Sequence, residues 1–90
     1  MPTVIWNGSV DGDYSNASNW TGGLPGAADD VIFDGRTTTG PSTNLDEADD
    51  LGSVHVMSSC TYDIGTSSVY WEFQCTGTVI IEGTGTYHLR

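Results

Sequence analysis

Residues 16–33 read NASNWTGGLPGAADDVIF, and no other stretch restricts the fold as tightly. A polar turn leads into Trp20, a Leu24-Pro25-Gly26 bend follows, and two aspartates run straight into Val31-Ile32-Phe33. An indole just before a bend and ahead of a β-branched run predicts a cap. Trp20 lies over an open hydrophobic end, the bend reverses the chain, and Val31-Ile32-Phe33 is the first strand laid against that end. Asp29 and Asp30 then keep the outer rim of the strand wet and blunt an adhesive edge.

The rest of the chain has β texture. Glycine occurs 12 times, Thr and Ser are abundant, and Val, Ile, Tyr and Trp supply most of the apolar side chains. No window of about 11 residues keeps a helical apolar period, so almost no α-helix is expected. With 90 residues the chain makes one domain or part of one. A chain of that size buries roughly 60–65% of its unfolded surface, which leaves its own core marginal.

Taken in order, Thr3 to Trp6 is a short strand, and Asn7-Gly8 and Asp11-Gly12-Asp13 are turn signals. The polar residues between Tyr14 and Trp20 suit a compact turn or a single helical turn capped by Ser15 or Asn16. Residues 1–34 thus form a cap segment with the first strand, and Trp6, Tyr14, Trp20 and Phe33 are its cap and core side chains. Residues 35–51 are predicted to be an exposed acidic loop, mobile rather than ligand-binding, pinned by Leu45 and Leu51.

Residues 52–90 look repetitive. A shift of 15 places Ser53-Val54 over Ser68-Val69 and Cys60-Thr61 over Cys75-Thr76; a shift of eight places Gly77-Thr78 over Gly85-Thr86. Strands separated by Gly, Ser and Thr corners predict an all-β fold, a short β-solenoid like a parallel β-helix with an aromatic N-terminal cap. A small antiparallel β-sandwich uses the same strands and is the alternative. Coils stacked about 4.8 Å apart would bring Cys60 and Cys75 within disulfide distance. Two reduced thiols packed as small apolar residues are the other outcome.

Short solenoids expose backbone and core at each open end. Trp20 seals one end here, whereas Tyr87-His88-Leu89-Arg90 is strand-like and has no capping turn. Val79, Ile81, Tyr87 and Leu89 are therefore the predicted association edge, covered by a partner subunit or by further chain.

Charge excludes some partners. Twelve acidic residues face two arginines and no lysine, for a formal net charge of -10. Such a chain repels phosphate backbones and anionic membrane surfaces, so neither nucleic acid nor membrane is an expected partner. Met1-Pro2-Thr3 carries no basic residue and no apolar run follows it, which predicts cytoplasmic assembly unless a leader is missing from this sequence.

Chemistry is mostly absent. His55 and His88 lie 33 residues apart in strand-like surroundings, and the Cys and His residues lack zinc-site spacing. Asp11-Gly12-Asp13 resembles the opening of a calcium loop without its sixth-place glycine and twelfth-place glutamate. There, and among the carboxylates of residues 46–50, calcium would be held loosely at most; no cofactor, metal centre or catalytic residue is expected. Asn7, Asn16 and Asn19 each begin a glycosylation sequon but read as turn residues.

The run Trp6-Asn7-Gly8, then Asp11-Gly12-Asp13-Tyr14, then ASNWTGGLPGA, then Asp29-Asp30-Val31-Ile32-Phe33 resembles the N-terminal segment of a group of phage structural proteins. It is also similar to the start of some autotransporter and adhesin β-helix domains. Cys60-Thr61-Tyr62-Asp63-Ile64-Gly65-Thr66 resembles a T-x-x-I-G-T corner further along the phage members. The likeness covers some 70 of the 90 residues and implies a non-enzymatic virion component, a capsid decoration or tail-associated protein. It further implies a homo-oligomer, trimeric or joined end to end, on a capsid or tail protein, with assembly in the host cytoplasm. The alternative is an adhesin or carbohydrate-binding module at a cell surface, with Tyr70 and Trp71 as candidate sugar platforms.

Overall fold

Four tetrads, TVIW, DVIF, SVHV and TVII, share one plan: a polar residue, a valine, Ile or His, then a bulky apolar side chain. In extended chain the second and fourth positions face one way and the first and third the other. The computed structural model describes residues 3–26, 28–45 and 49–89, and in it all four tetrads contribute strands. The elements are β1 (Thr3–Trp6), β2 (Trp20–Thr21), β3 (Asp30–Phe33), β4 (Asp49–Leu51), β5 (Ser53–Val56), β6 (Phe73–Cys75) and β7 (Val79–Ile81). Among the described residues a single 3-10 turn, Ala17–Asn19, completes the regular structure.

The protein is all-β, with no α-helix among the described residues. One sheet has the order β2-β1-β3-β5-β7; β4 and β6 form a second. Pairing is parallel from β1 to β3 to β5 to β7, and the register aligns Val4, Val31, Val54 and Val79 in one column. Trp6, Phe33, Val56 and Ile81 align in the next inward column. Among the described residues only β2 runs antiparallel, against β1, so the five-stranded sheet is mixed, and neither sheet closes on itself. Isolated parallel bridges join Asp13 to Thr43, Ile64 to Tyr87 and Trp71 to Leu89. The two inward columns meet Tyr14, Trp20, Leu45, Leu51, Cys60, Tyr62, Ile64 and Trp71 in one core.

The observed register replaces the shift of 15. Val54 pairs with Val79, not with the region of Val69, and the residue beside Cys75 is Leu51. The pleat explains this: a column needs apolar side chains on the inner face, whatever their identity, and Ser-Val or Cys-Thr echoes carry no such requirement.

The strand β3 is also not the first against an open end. It lies at the centre of the sheet between β1 and β5. Asp29 and Asp30 consequently guard no edge. Asp30 Oδ1 accepts from Ser53 Oγ at 2.7 Å, and Asp29 Oδ2 accepts from the Gly26 amide at 2.7 Å.

Residues 35–51 are exposed or half-exposed at most of their described positions and are pinned at Leu45 and Leu51 as expected, but they are tied down rather than free along their length. Pro41, Leu45 and Leu51 are buried, and the main chain is bonded on both sides. Ser42 N donates to Gly12 O at 2.8 Å and Tyr14 N to Thr43 O at 3.0 Å, while Gly65 N donates to Pro41 O at 2.8 Å from the other side. Three well-spaced apolar anchors are enough to pull a polar segment into the wall of the molecule. Its most acidic part, residues 46–48, lies outside the described residues.

At one corner the chain passes over itself with no room for a Cβ at Gly52 or Gly77. A Cβ on Gly52 would stand 2.5 Å from Ala28 O, and one on Gly77 would overlap Gly52 O. Residues 28, 52 and 77 are thus stacked main chain on main chain.

Candidate association edge and aromatic cap

The cap is built from a polar knot and an aromatic pile. Asn16 caps the 3-10 turn, its Oδ1 accepting from Ser18 N at 3.0 Å. That turn delivers Asn19 into the interior with no exposed surface. Asn19 Oδ1 accepts from the amides of Val10 and Asp11 at 2.9 and 3.1 Å. Its Nδ2 donates to Asp11 Oδ1 and to Asp13 O at 2.8 and 2.9 Å. Every hydrogen-bonding position of the amide is used, as a buried polar group requires. The Asn19 carbonyl also receives the Asn7 and Gly8 amides at 2.8 and 3.2 Å. Such burial denies Asn19 a role as a glycan acceptor.

Next to this knot the side chains of Trp6, Tyr14, Trp20 and Phe33 are all buried. Trp20 packs edge-on against Trp6, Tyr14 and Phe33, with ring centroids 5.2, 5.1 and 5.7 Å apart. Trp20 Nε1 donates to Tyr14 O at 2.8 Å and Trp6 Nε1 to Thr39 O at 2.7 Å, so both indoles bury their ring with a partner for the N–H. Gly22 and Gly23, at φ of 99° and 93°, then turn the chain away after only two residues of β2.

The opposite end is different. Val79 and Ile81 continue the same inward columns as Val4 and Trp6. Yet Val4 and Trp6 are 1% and 0% exposed, whereas Val79 and Ile81 are 44% and 45% exposed. Ile80, on the outer face, is exposed too. The strand β7 ends the sheet order, and among the described residues no strand pairs with its outer edge. Tyr87 and Leu89 are half-buried and pack against the core from beside Ile64 and Trp71. Of the 12 acidic residues, Glu82 alone falls within residues 76–89, where its Oε1 meets His55 Nε2 at 2.6 Å.

Other residues singled out in the sequence occupy structural places. Cys60 and Cys75 are free thiols in separate surroundings. Cys60 Sγ points to Tyr62 O at 3.8 Å, and Cys75 Sγ to Gly52 O at 3.4 Å. The disulfide presupposed stacking at a shift of 15, and that stacking is not the one formed. His88 stacks edge-on against Tyr70, with ring centroids 5.8 Å apart. Trp71 is no sugar platform: it lies fully in the core, 5.2 Å from the Phe33 ring. Indeed none of the nine aromatic side chains is among the exposed apolar residues.

The carboxylates of Asp11 and Asp13 are engaged by protein donors. Asp11 Oδ1 accepts from Asn19 Nδ2 and the Asp13 amide, and Asp13 Oδ1 from Asn44 Nδ2 at 2.8 Å and the Ser15 hydroxyl at 2.7 Å. The Asn44 bond and the Ser15 hydroxyl hold the Asp13 carboxyl below the usual aspartate range. Among the described residues no three His, Cys, Asp or Glu converge as metal ligands. No described helix is long and apolar enough to cross a membrane.

No family model, curated protein or solved structure matches this chain. Its function has to be argued from its own residues. Sequence reasoning missed two participants, Asn19 and the glycine corner. Asn19 looks like any turn asparagine until its partners are placed, while the corner had a signal in the Gly52 and Gly77 positions just ahead of two tetrads.

Proposed function

We propose that this chain is a non-enzymatic structural module, a self-associating virion component of the capsid-decoration or tail-associated kind, wound as a short β-solenoid. Support for the winding comes from the valine column, Val4 to Val31 to Val54 to Val79, with steps of 27, 23 and 25 residues. Steps of that length fall within the range of solenoid coils. Support for a virion role comes from the resemblance of the N-W-x-G-G-x-P-G-x-x-D-D-V-I segment to phage structural proteins.

The observation that carries self-association is the contrast between the ends. One is sealed by stacked indoles, and the other leaves inward-facing Val79 and Ile81 nearly half exposed. Edge strands with exposed apolar side chains are templates for pairing with another chain. Size-exclusion chromatography with light scattering on the 90-residue chain tests this: a mass above 9.6 kDa at micromolar concentration is expected. A persistent monomer would overturn the proposal. Mass spectrometry of purified particles tests the virion assignment, which fails if the chain never travels with a capsid or tail.

A further inference from the structure

We infer that the open end is closed by a second copy of this chain, joined head to head across a two-fold axis at Ile80, a geometry that presupposes the self-association proposed above. The first argument is topological. Head-to-tail stacking needs a strand edge at the capped end to receive β7. Among the described residues that end offers only β2, two residues long, after which Gly22 and Gly23 at positive φ leave the extended conformation. Unlike ends therefore do not match, and like must meet like. A surface that pairs with its own copy generates a closed two-fold dimer.

The main chain then fixes the register. Val54 N donates to Thr78 O at 3.0 Å and Glu82 N to Val56 O at 2.7 Å, so residues 78 and 82 turn their main-chain groups toward β5. Hydrogen-bonding direction alternates along a strand, so Ile80 does the same, while Val79 and Ile81 point theirs at the free edge. A two-fold axis normal to the sheet keeps both inner faces on one side and makes the two β7 strands antiparallel. Centring it on Ile80 sets Val79 opposite the second copy's Ile81, and Ile81 opposite its Val79. These are the residues whose N–H and C=O groups are free to be exchanged. The inward columns then run on from one copy into the other. Ile80 meets the second copy's Ile80 as a non-hydrogen-bonded pair, with α-carbons about 4.5 Å apart.

Charge favours the same face. The chain carries a net charge of -10, and copies repel wherever their carboxylates converge. Residues 76–89 hold one of the 12, Glu82, which is paired with His55; the register sets it opposite the second copy's Thr78 rather than a second carboxylate.

The test combines mass with a cross-link. Light scattering and sedimentation of the 90-residue chain should give a mass twice 9.6 kDa. An Ile80→Cys variant, made with Cys75→Ser so that buried Cys60 is the other thiol, should form a covalent dimer on treatment with oxidised glutathione. A Thr78→Cys variant in the same background should link far less, because residue 78 faces residue 82. Val79→Lys with Ile81→Lys should give a monomer whose circular dichroism remains that of the parent. A larger assembly without the residue 80 cross-link would overturn the two-fold geometry and leave self-association standing. A monomer at every concentration would overturn both.

Discussion

Asn19 and Asp11 bind each other in both directions: Asn19 Nδ2 donates to the Asp11 carboxylate at 2.8 Å, and Asn19 Oδ1 accepts from the Asp11 amide at 3.1 Å. The reciprocal pair ties the loop before the 3-10 turn to the residue that precedes Trp20. Cutting it at Asn19 leaves the Val10 and Asp11 amides without their partner at the partly buried rim of the cap. Asn19→Ala should lower stability by about 3 kcal/mol, since each group left unsatisfied costs about 1–3 kcal/mol. Urea unfolding followed by tryptophan fluorescence measures it. Asn19→Asp should be the worse variant at neutral pH, because a carboxylate cannot donate to Asp11, and should recover in part as the solution is acidified.

The glycine corner gives a steric prediction. A methyl group on Gly52 would meet Ala28 O at 2.5 Å, so Gly52→Ala forces two main chains apart. Overpacking of that kind costs about 1–3 kcal/mol, and the loss should show in thermal unfolding. Gly23→Ala is a control for backbone strain without the clash, since its added carbon meets nothing within 4 Å although its φ is 93°.

Tyr62 carries a buried hydroxyl with no hydrogen-bond partner. Burial, with the Cys60 thiol beside it as the next cause, pushes its ionisation well above the ordinary tyrosine value. A raised value in the fold means that the contribution is full below about pH 10, where the unfolded tyrosine begins to ionise, and is lost as pH climbs above it. Tyr62→Phe should therefore flatten the alkaline limb of the stability curve. It should also raise stability at pH 7 by about 1 kcal/mol, because an unsatisfied polar atom is removed and the ring is kept.

Asp13 sets an acid limb of the opposite sense. Its carboxyl is depressed by the Asn44 and Ser15 bonds, so its contribution is complete above the ordinary aspartate range and disappears as pH falls through the lowered value. Asp13→Asn should make stability less dependent on pH below 4, read by chemical denaturation across an acid series.

How much of this was legible in the chain depends on the kind of signal. Strand character was, in TVIW, VIF and VII, because β-branched and aromatic residues at period two declare themselves locally. The burial of Trp6, Tyr14, Trp20 and Phe33 was legible for a similar reason. The partners of the strands were not. Identity echoes at 15 drew attention to Ser, Thr and Cys, which lie at corners, while the tetrads share only valine and recur at unequal steps because their connections differ in length. Trp71 beside Tyr70 shows the limit of alternation: the period says that neighbours face opposite ways but not which one faces in. Asn19 left no mark among the asparagines and serines around it, since full satisfaction of its amide depends on residues 10, 11 and 13 arriving together.

The stack at residues 28, 52 and 77 also sets a rule for lengthening the molecule. Side chains can vary widely along the inner columns, but this spot admits a bare main chain and little else. Any insertion that laid another parallel strand beyond β7, natural or engineered, has to carry a glycine there, one or two places ahead of that strand. Duplicating the segment that begins at Gly77 satisfies that condition; grafting a strand without its preceding glycine does not.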